Sequence, residues 1–430
     1  MMSNTSTRAQ IGTLIIATGF IQIGNGFFNT FISLRVAIED FEATTAGLVL
    51  SSYFVGFTIG ALRCGKIIAR IGHIRAYAAF AGLAVAATAT MPLLVGPLPW
   101  LIQRAVIGFG CSGLFVTAES WLNARALPAE RGRIFSIYMV GTFVALALGQ
   151  LLIARVNVTT AGPFSMIAAL FSLALVMVSM TRAEAPRTAT APSLPYQQLL
   201  RAAPIAVAGC ALSGLITGTF YALVPAWMQG EEIPQSTIGF FMLVAVLGGL
   251  IFQVPVGRCS DRFDRLSVLA VLGLGFAFTA VALIHLPNHP AIELPAAVLL
   301  GGFMSCLYPV CIANAHDHMP ADRVLAVSGR LILTNGVGAA LGPILGMSLM
   351  RRFDIDGVFY LMAAAASLIA LLAVGRSLTS PAPPHLERPF DILTPQAAPV
   401  AHDPIGAADG PARPAEAAPM EPVPHDVAEQ

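Results

Sequence analysis

Residues 45–75 read TAGLVLSSYFVGFTIGALRCGKIIARIGHIR, an apolar run from Ala46 that meets its first charge only at Arg63 and then breaks into glycines and bases. A helix needs about 20 mostly apolar residues to cross a bilayer, and this run supplies them. Eleven comparable windows surround it. The twelve lie at about 11–34, 46–64, 75–95, 99–122, 133–154, 161–181, 204–228, 236–257, 266–286, 292–315, 325–349 and 355–375.

Only 11% of the residues are charged and 56% are hydrophobic, with a mean hydropathy of +0.75. An ordinary soluble domain carries roughly 25% charged residues, so a water-soluble fold of this composition would aggregate. The expected fold is an all-α membrane protein. The first window is too long for the core of a cleaved leader and has no small-residue cleavage pattern, so it is expected to stay as a helix.

The net charge is +1, and the bases are scattered through short loops rather than gathered into a stripe that would hold nucleic acid. Their distribution sets an orientation. With the amino terminus inside, the inner loops and helix ends hold Arg63, Lys66, Arg70, Arg75, Arg125, Arg131, Arg133, Arg182, Arg187, Arg201, Arg258, Arg262, Arg265, Arg323 and Arg330. The outer loops hold Arg35, Arg155, Arg351 and Arg352, so fifteen bases face four. That bias places both termini in the cytoplasm.

The stretch that opens the chain's second half repeats the first. A shift of 192 residues carries Thr45 and Gly47 onto Thr237 and Gly239, Gly65-Lys66 onto Gly257-Arg258, Arg70 onto Arg262, and Pro128-Ala129-Glu130-Arg131 onto Pro320-Ala321-Asp322-Arg323. Matches in equivalent loops at one offset point to a duplication. Six windows separate the copies, an even number, so the halves share one orientation about an axis along the membrane normal. The expected organisation is a six-helix bundle over 1–181, a cytoplasmic linker over 182–203, a second six-helix bundle over 204–376 and a tail over 377–430. Twelve of the 30 prolines fall in that tail, a composition that builds no packed core.

The loops themselves resemble a known family. Gly65-Lys66-Ile67-Ile68-Ala69-Arg70-Ile71-Gly72-His73-Ile74-Arg75 and Gly257-Arg258-Cys259-Ser260-Asp261-Arg262-Phe263-Asp264-Arg265 are similar to the G-x-x-x-D-R-x-G-R-R loop of the major facilitator superfamily. Arg104, Gly108 and Gly110 match its R-x-x-x-G-x-G pattern in the fourth helix, and Glu130-Arg131-Gly132-Arg133 its following loop. The likeness extends over nearly all of residues 11–376. It implies two pseudo-symmetric six-helix bundles, a small-molecule substrate bound between them, proton coupling, and a monomer in the bacterial inner membrane without a cofactor.

By the same resemblance Gly65, Arg70, Gly257, Asp261 and Arg262 form cytoplasmic latches, the glycines allowing close helix contact and the charges pairing across the bundle interface. The first copy departs from the pattern. Ala69 stands where Asp261 keeps the acid, and Ala124 stands near where many relatives end the fourth helix with an acid. A G-x-x-x-G-P-x-x-G run survives only as Gly338, Gly342, Pro343 and Gly346, with Gly149-Gln150 at the matching place in the fifth helix.

Glu119 is the one acid well inside a window, and a carboxylate there is costly unless it faces a partner or water. Proton or cation coupling is expected at Glu119, against a structural ion pair with Arg131 or Arg133. Arg104 lies fifteen residues earlier, within roughly 60° of the same face and roughly 22 Å along the axis. The resemblance implies that Arg104 responds to that acid or to substrate, and capping backbone carbonyls is the competing reading. With no second clear cation in the windows, a strongly anionic substrate is disfavoured.

Gln22, Asn25, Asn29 and Ser33 form one polar stripe on the first helix, mirrored on the seventh by Ser213, Thr217 and Tyr221. Amides and hydroxyls facing lipid unsatisfied cost several kcal/mol each. A cavity lined by Gln22, Asn25, Asn29, Tyr53, Tyr138, Thr217, Tyr221, Tyr308 and Asn335 is expected, with interhelical packing as the alternative. Trp100, at a window edge, is expected to be a packing residue or an interface anchor.

All six cysteines are expected to be packing residues, with no disulfide and no metal. His285 and His289 fall on one side of the membrane and His316 and His318 on the other, so they make no single metal site. No H-E-x-x-H, Walker or G-x-S-x-G pattern occurs in a suitable context, and an enzyme is not expected. Two functions follow: a proton-coupled secondary transporter of a small organic solute working by alternating access, or a membrane receptor that kept this fold without transport.

Overall fold

Each apolar window forms a helix in the computed structural model, which describes residues 4–39, 41–181, 195–320 and 323–379. No water in the hydrocarbon satisfies a peptide group, so every backbone amide there must bond within its own segment. The helices of the first half are α1 (Asn4–Ile38), α2 (Ala43–Ile71), α3 (His73–Thr90), α4 (Pro97–Arg125), α5 (Arg131–Leu151) and α6 (Gly162–Ser179). A short α7 (Tyr196–Ala202) precedes α8 (Pro204–Gly230), α9 (Gln235–Arg262), α10 (Arg265–His285), α11 (Pro290–Asp317), α12 (Val324–Met350) and α13 (Gly357–Thr379). Apart from α7, all twelve are long and apolar enough to span a membrane.

Several helices, α2 among them, overrun their windows because they stop at backbone signals rather than where apolarity ends. α2 continues past Cys64 to Ile71 and ends at Gly72, whose φ of 83° suits a residue without Cβ. α10 begins where the Asp264 carboxylate accepts the Ser267 amide at 3.0 Å. Within the expected linker, Leu199 of α7 is buried and the Tyr196 and Thr334 hydroxyls lie 3.2 Å apart, tying this segment to α12. Residues 182–194 of the linker, and the tail from residue 380, lie outside the described residues.

α1 to α6 pack on one another, as do α8 to α13, and the duplication recurs in how they pack. A Cβ on Gly56 of α2 would fall 1.9 Å from the Ala105 carbonyl oxygen of α4, and one on Gly248 of α9 would fall 2.3 Å from that of Val298 in α11. Gly26 and Gly218, also 192 apart, meet Leu146 O at 2.5 Å and Ala339 O at 2.2 Å in the same way. Small residues let backbones meet where lipid offers no hydrophobic driving force between helices. The two bundles touch along α2 with α12, α5 with α9 and α1 with α8.

Gly65 corrects an expectation. It is exposed, and a Cβ there would meet nothing within 4 Å, so the close helix contact assigned to it is made instead by Gly56. Gly56→Ala is therefore expected to lower thermal stability in detergent by about 1–3 kcal/mol, the cost of overpacking against rigid backbone. Gly65→Ala is expected to be neutral or to stabilise by about 0.5–1 kcal/mol through helix entropy. Equal melting temperatures for the two variants would contradict this assignment.

Of the two roles expected for Trp100, the structure shows packing. Its side chain is wholly buried, donates from Nε1 to Met91 O at 3.0 Å and stacks edgewise on Phe41 and Phe164. The ring reaches inward because the bend between α3 and α4 brings the Met91 carbonyl over it. All six cysteines are free thiols. Five are buried, but Cys259 is exposed on the polar end of α9 and packs no core.

Candidate functional site

A cavity lies between the bundles, walled by α1, α2 and α5 on one side and α8 and α12 on the other. Its space between atoms, mouth included, is about 890 Å³. Six residues of the polar pattern line it: Gln22, Asn29, Tyr53, Thr217, Tyr221 and Asn335. Phe54, Phe57, Phe143 and Ile332 supply apolar wall, and Thr58 and Gln150 further polar groups.

Three residues expected in the lining are elsewhere. Asn25 is buried one layer back, where its Oδ1 accepts the Tyr53 hydroxyl at 2.8 Å and the Asn29 amide at 3.2 Å. It holds the cavity wall rather than facing the cavity. Tyr138 turns its hydroxyl to Glu119 Oε1 at 3.2 Å. Tyr308 is buried within the second bundle, 3% exposed.

Gln150 was legible only as part of a degraded glycine motif. Its amide clamps α1 to α5, accepting from Thr30 Oγ1 at 2.6 Å and donating to Gly26 O at 2.9 Å. A lone amide in an otherwise apolar span was the signal. In the second bundle Asn335 donates to Cys210 O at 3.2 Å and Ser213 Oγ at 3.1 Å, fixing α12 to α8 beside the cavity.

Arg104 and Glu119 sit on α4 in different surroundings. Arg104, 1% exposed, donates to Asn29 Oδ1 and Leu50 O, both at 3.4 Å. Its guanidinium lies 5.0 Å from the Phe28 ring centre and 4.9 Å from that of Tyr53. Such cation–π contacts partly replace lost hydration. Glu119 is equally buried, with the Tyr138 hydroxyl as a donor. Arg133, one of its two candidate ion-pair partners, is exposed.

Polar contacts between the bundles gather at the end where α1 finishes. Ser33 Oγ donates to Ala222 O at 2.6 Å and Gln235 Nε2 to Val156 O at 2.8 Å. At the opposite end Arg70, Asp261 and Arg262 are exposed while Gly257 is buried. A buried ion pair there is Arg265 Nε with Asp317 Oδ2 at 2.7 Å, joining α10 to α11 within the second bundle. Asp317 was missed, although it stands three residues before Pro320, where a helix-ending acid is sought. The repeat puts His73 in the place of Arg265 and Arg125 in the place of Asp317. In the first bundle His73 Nε2 lies 3.1 Å from Ser120 Oγ instead.

The sequence matches the Major Facilitator Superfamily over residues 14–245 and 212–402. The chain belongs to this family. Relatives in the superfamily include the uncharacterized MFS-type transporter YcaD of Escherichia fergusonii, 32% identical over 351 residues, covering 81% of this chain and 91% of that protein. YcaD of Shigella flexneri matches to the same extent, 32% over the same shares of both chains.

Solved structures with the superfamily fold include a variant of the nucleoside transporter NupG, with a TM-score of 0.73 at 13% identity over 85% of this chain and 99% of that one. A D-xylose–proton symporter aligns with a TM-score of 0.65 at 18% identity over 84% of this chain and 96% of that one. At these identities the likeness establishes fold and not substrate. The protein is thus a multi-pass member of a transporter superfamily, with its substrate unspecified by kinship.

Proposed function

We propose that this protein moves a small organic solute by alternating access, coupled to protons through Glu119. The observation that carries the reading is a carboxylate 1% exposed inside a span of a fold whose two bundles enclose a cavity between them. An intramembrane acid is retained at a cost of several kcal/mol, which function explains. Glu119 accepts a hydrogen bond from Tyr138 of its own bundle. Gain or loss of its proton would change the strength of that bond between α4 and α5.

The arginine distribution supports cytoplasmic termini in the inner membrane. On that orientation the contacts Ser33–Ala222 and Gln235–Val156 close the outer end, as in an inward-facing state. The cavity's mixture of amides, hydroxyls and phenyl rings suits a partly apolar solute. In proteoliposomes enclosing a pH dye, adding a transported solute under a proton gradient is expected to move protons with it. Accumulation of solute with no proton movement at any gradient would refute the coupling. Absence of all flux across a broad solute panel would favour the receptor reading.

A further inference from the structure

We propose that the cavity accepts a monoanionic solute, its carboxylate received by Arg104 between Asn29 and Tyr53. This deepens the transporter reading and rests on it. A guanidinium offers five N–H donors, and ionised acceptors approach such donors to about 2.7–2.9 Å. Arg104 has two neutral acceptors at 3.4 Å, and its Nε is buried without a partner. Among the described residues no carboxylate forms an ion pair with it. Arg265, buried to a similar degree, is met by Asp317 at 2.7 Å.

A buried cation whose nearest oxygens are neutral and distant is under-compensated in a low-dielectric interior. Its neighbours show where compensation can enter. Asn29, which accepts from Nη1, and Tyr53, whose ring lies under the guanidinium, both line the cavity. Arg104 thus lies one side chain behind the wall, within reach of an anion that displaces the Asn29 contact.

The rest of the lining fixes the size of the charge and the nature of the body. None of the lining side chains is ionisable to a cation, so one guanidinium balances one negative charge and a dianion would leave one uncompensated. Phe54, Phe57, Phe143 and Tyr221 present apolar surface for the remainder of the solute. The repeat places Ala296 where the first bundle has Arg104, so the anion is held by the first bundle alone.

The test uses the purified full-length chain with propionate, hexanoate and phenylacetate against their uncharged amides, read by thermal shift and calorimetry. At least one carboxylate is expected to bind and its amide to bind about tenfold or more weakly. Arg104→Gln is expected to weaken carboxylate binding about 10- to 100-fold. Asn29→Asp supplies an internal carboxylate to Arg104, and is expected to raise the melting temperature and abolish carboxylate binding, a readout independent of whether Arg104→Gln folds.

Amides binding as tightly as carboxylates, a panel in which no carboxylate binds, or an Asn29→Asp variant with unchanged carboxylate affinity would each overturn the proposal. Flux of the same compounds separates the two readings. Carboxylate binding without flux keeps the anion site and removes transport, whereas flux of neutral solutes without carboxylate binding keeps transport and removes the anion site.

Discussion

Glu119→Gln is expected to reduce proton-driven solute flux in proteoliposomes to the level of protein-free vesicles while the protein still folds. The substitution keeps the shape and an oxygen able to accept from Tyr138 Oη, now 3.2 Å from Oε1, but removes the titratable group. A buried acid is more costly ionised than neutral, so the neutral amide mimics the protonated state without the desolvation penalty. Thermal stability is therefore expected to hold or rise while coupling is lost. Tyr138→Phe removes the hydrogen bond but keeps the acid, and is expected to shift the pH dependence of flux rather than abolish it. Unchanged rate and unchanged proton dependence in Glu119→Gln would take Glu119 out of the mechanism. A folding defect alone would assign it to structure.

Asp317→Ala is expected to cost about 3–5 kcal/mol, the usual price of breaking a buried ion pair by removing one partner. The side chains of Arg265 and Asp317 are each 7% exposed and meet at 2.7 Å, so removing the acid leaves the arginine charge with little water. The melting temperature in detergent checks this, and the double change Arg265→Met with Asp317→Met is expected to recover most of the loss because both charges of the pair are removed together. A drop below about 1 kcal/mol in Asp317→Ala, the range of an exposed pair, would show that the pair is solvated. The matching site in the first bundle holds His73 and Arg125, so the two halves do not share this lock.

The contrast between these sites shows what could be read in advance. Glu119 stood out in the sequence because a single acid in an apolar window has no cheap explanation. Asp317 escaped notice because it sits at a helix end, where acids are common, and only its pairing with Arg265 reveals its burial. Arg104 was visible as a charge, but its isolation from acids depends on which faces of α1 and α2 turn toward α4. Tyr138 and Tyr308 share the composition of cavity residues yet point elsewhere, and Asn25 stands behind the wall that Asn29 faces.

The sequence by itself determined twelve spanning helices and a duplication. Hydrocarbon permits a single chain segment of this length only as a helix, and a constant offset of repeated loop residues survives whatever the packing. The tertiary structure alone decided which polar side chains meet. Helix rotation and depth are set by backbone contacts such as Gly56 with Ala105 and Gly26 with Leu146, and a rotation of one residue, about 100°, would exchange Asn29 in the cavity wall for a neighbour facing the core.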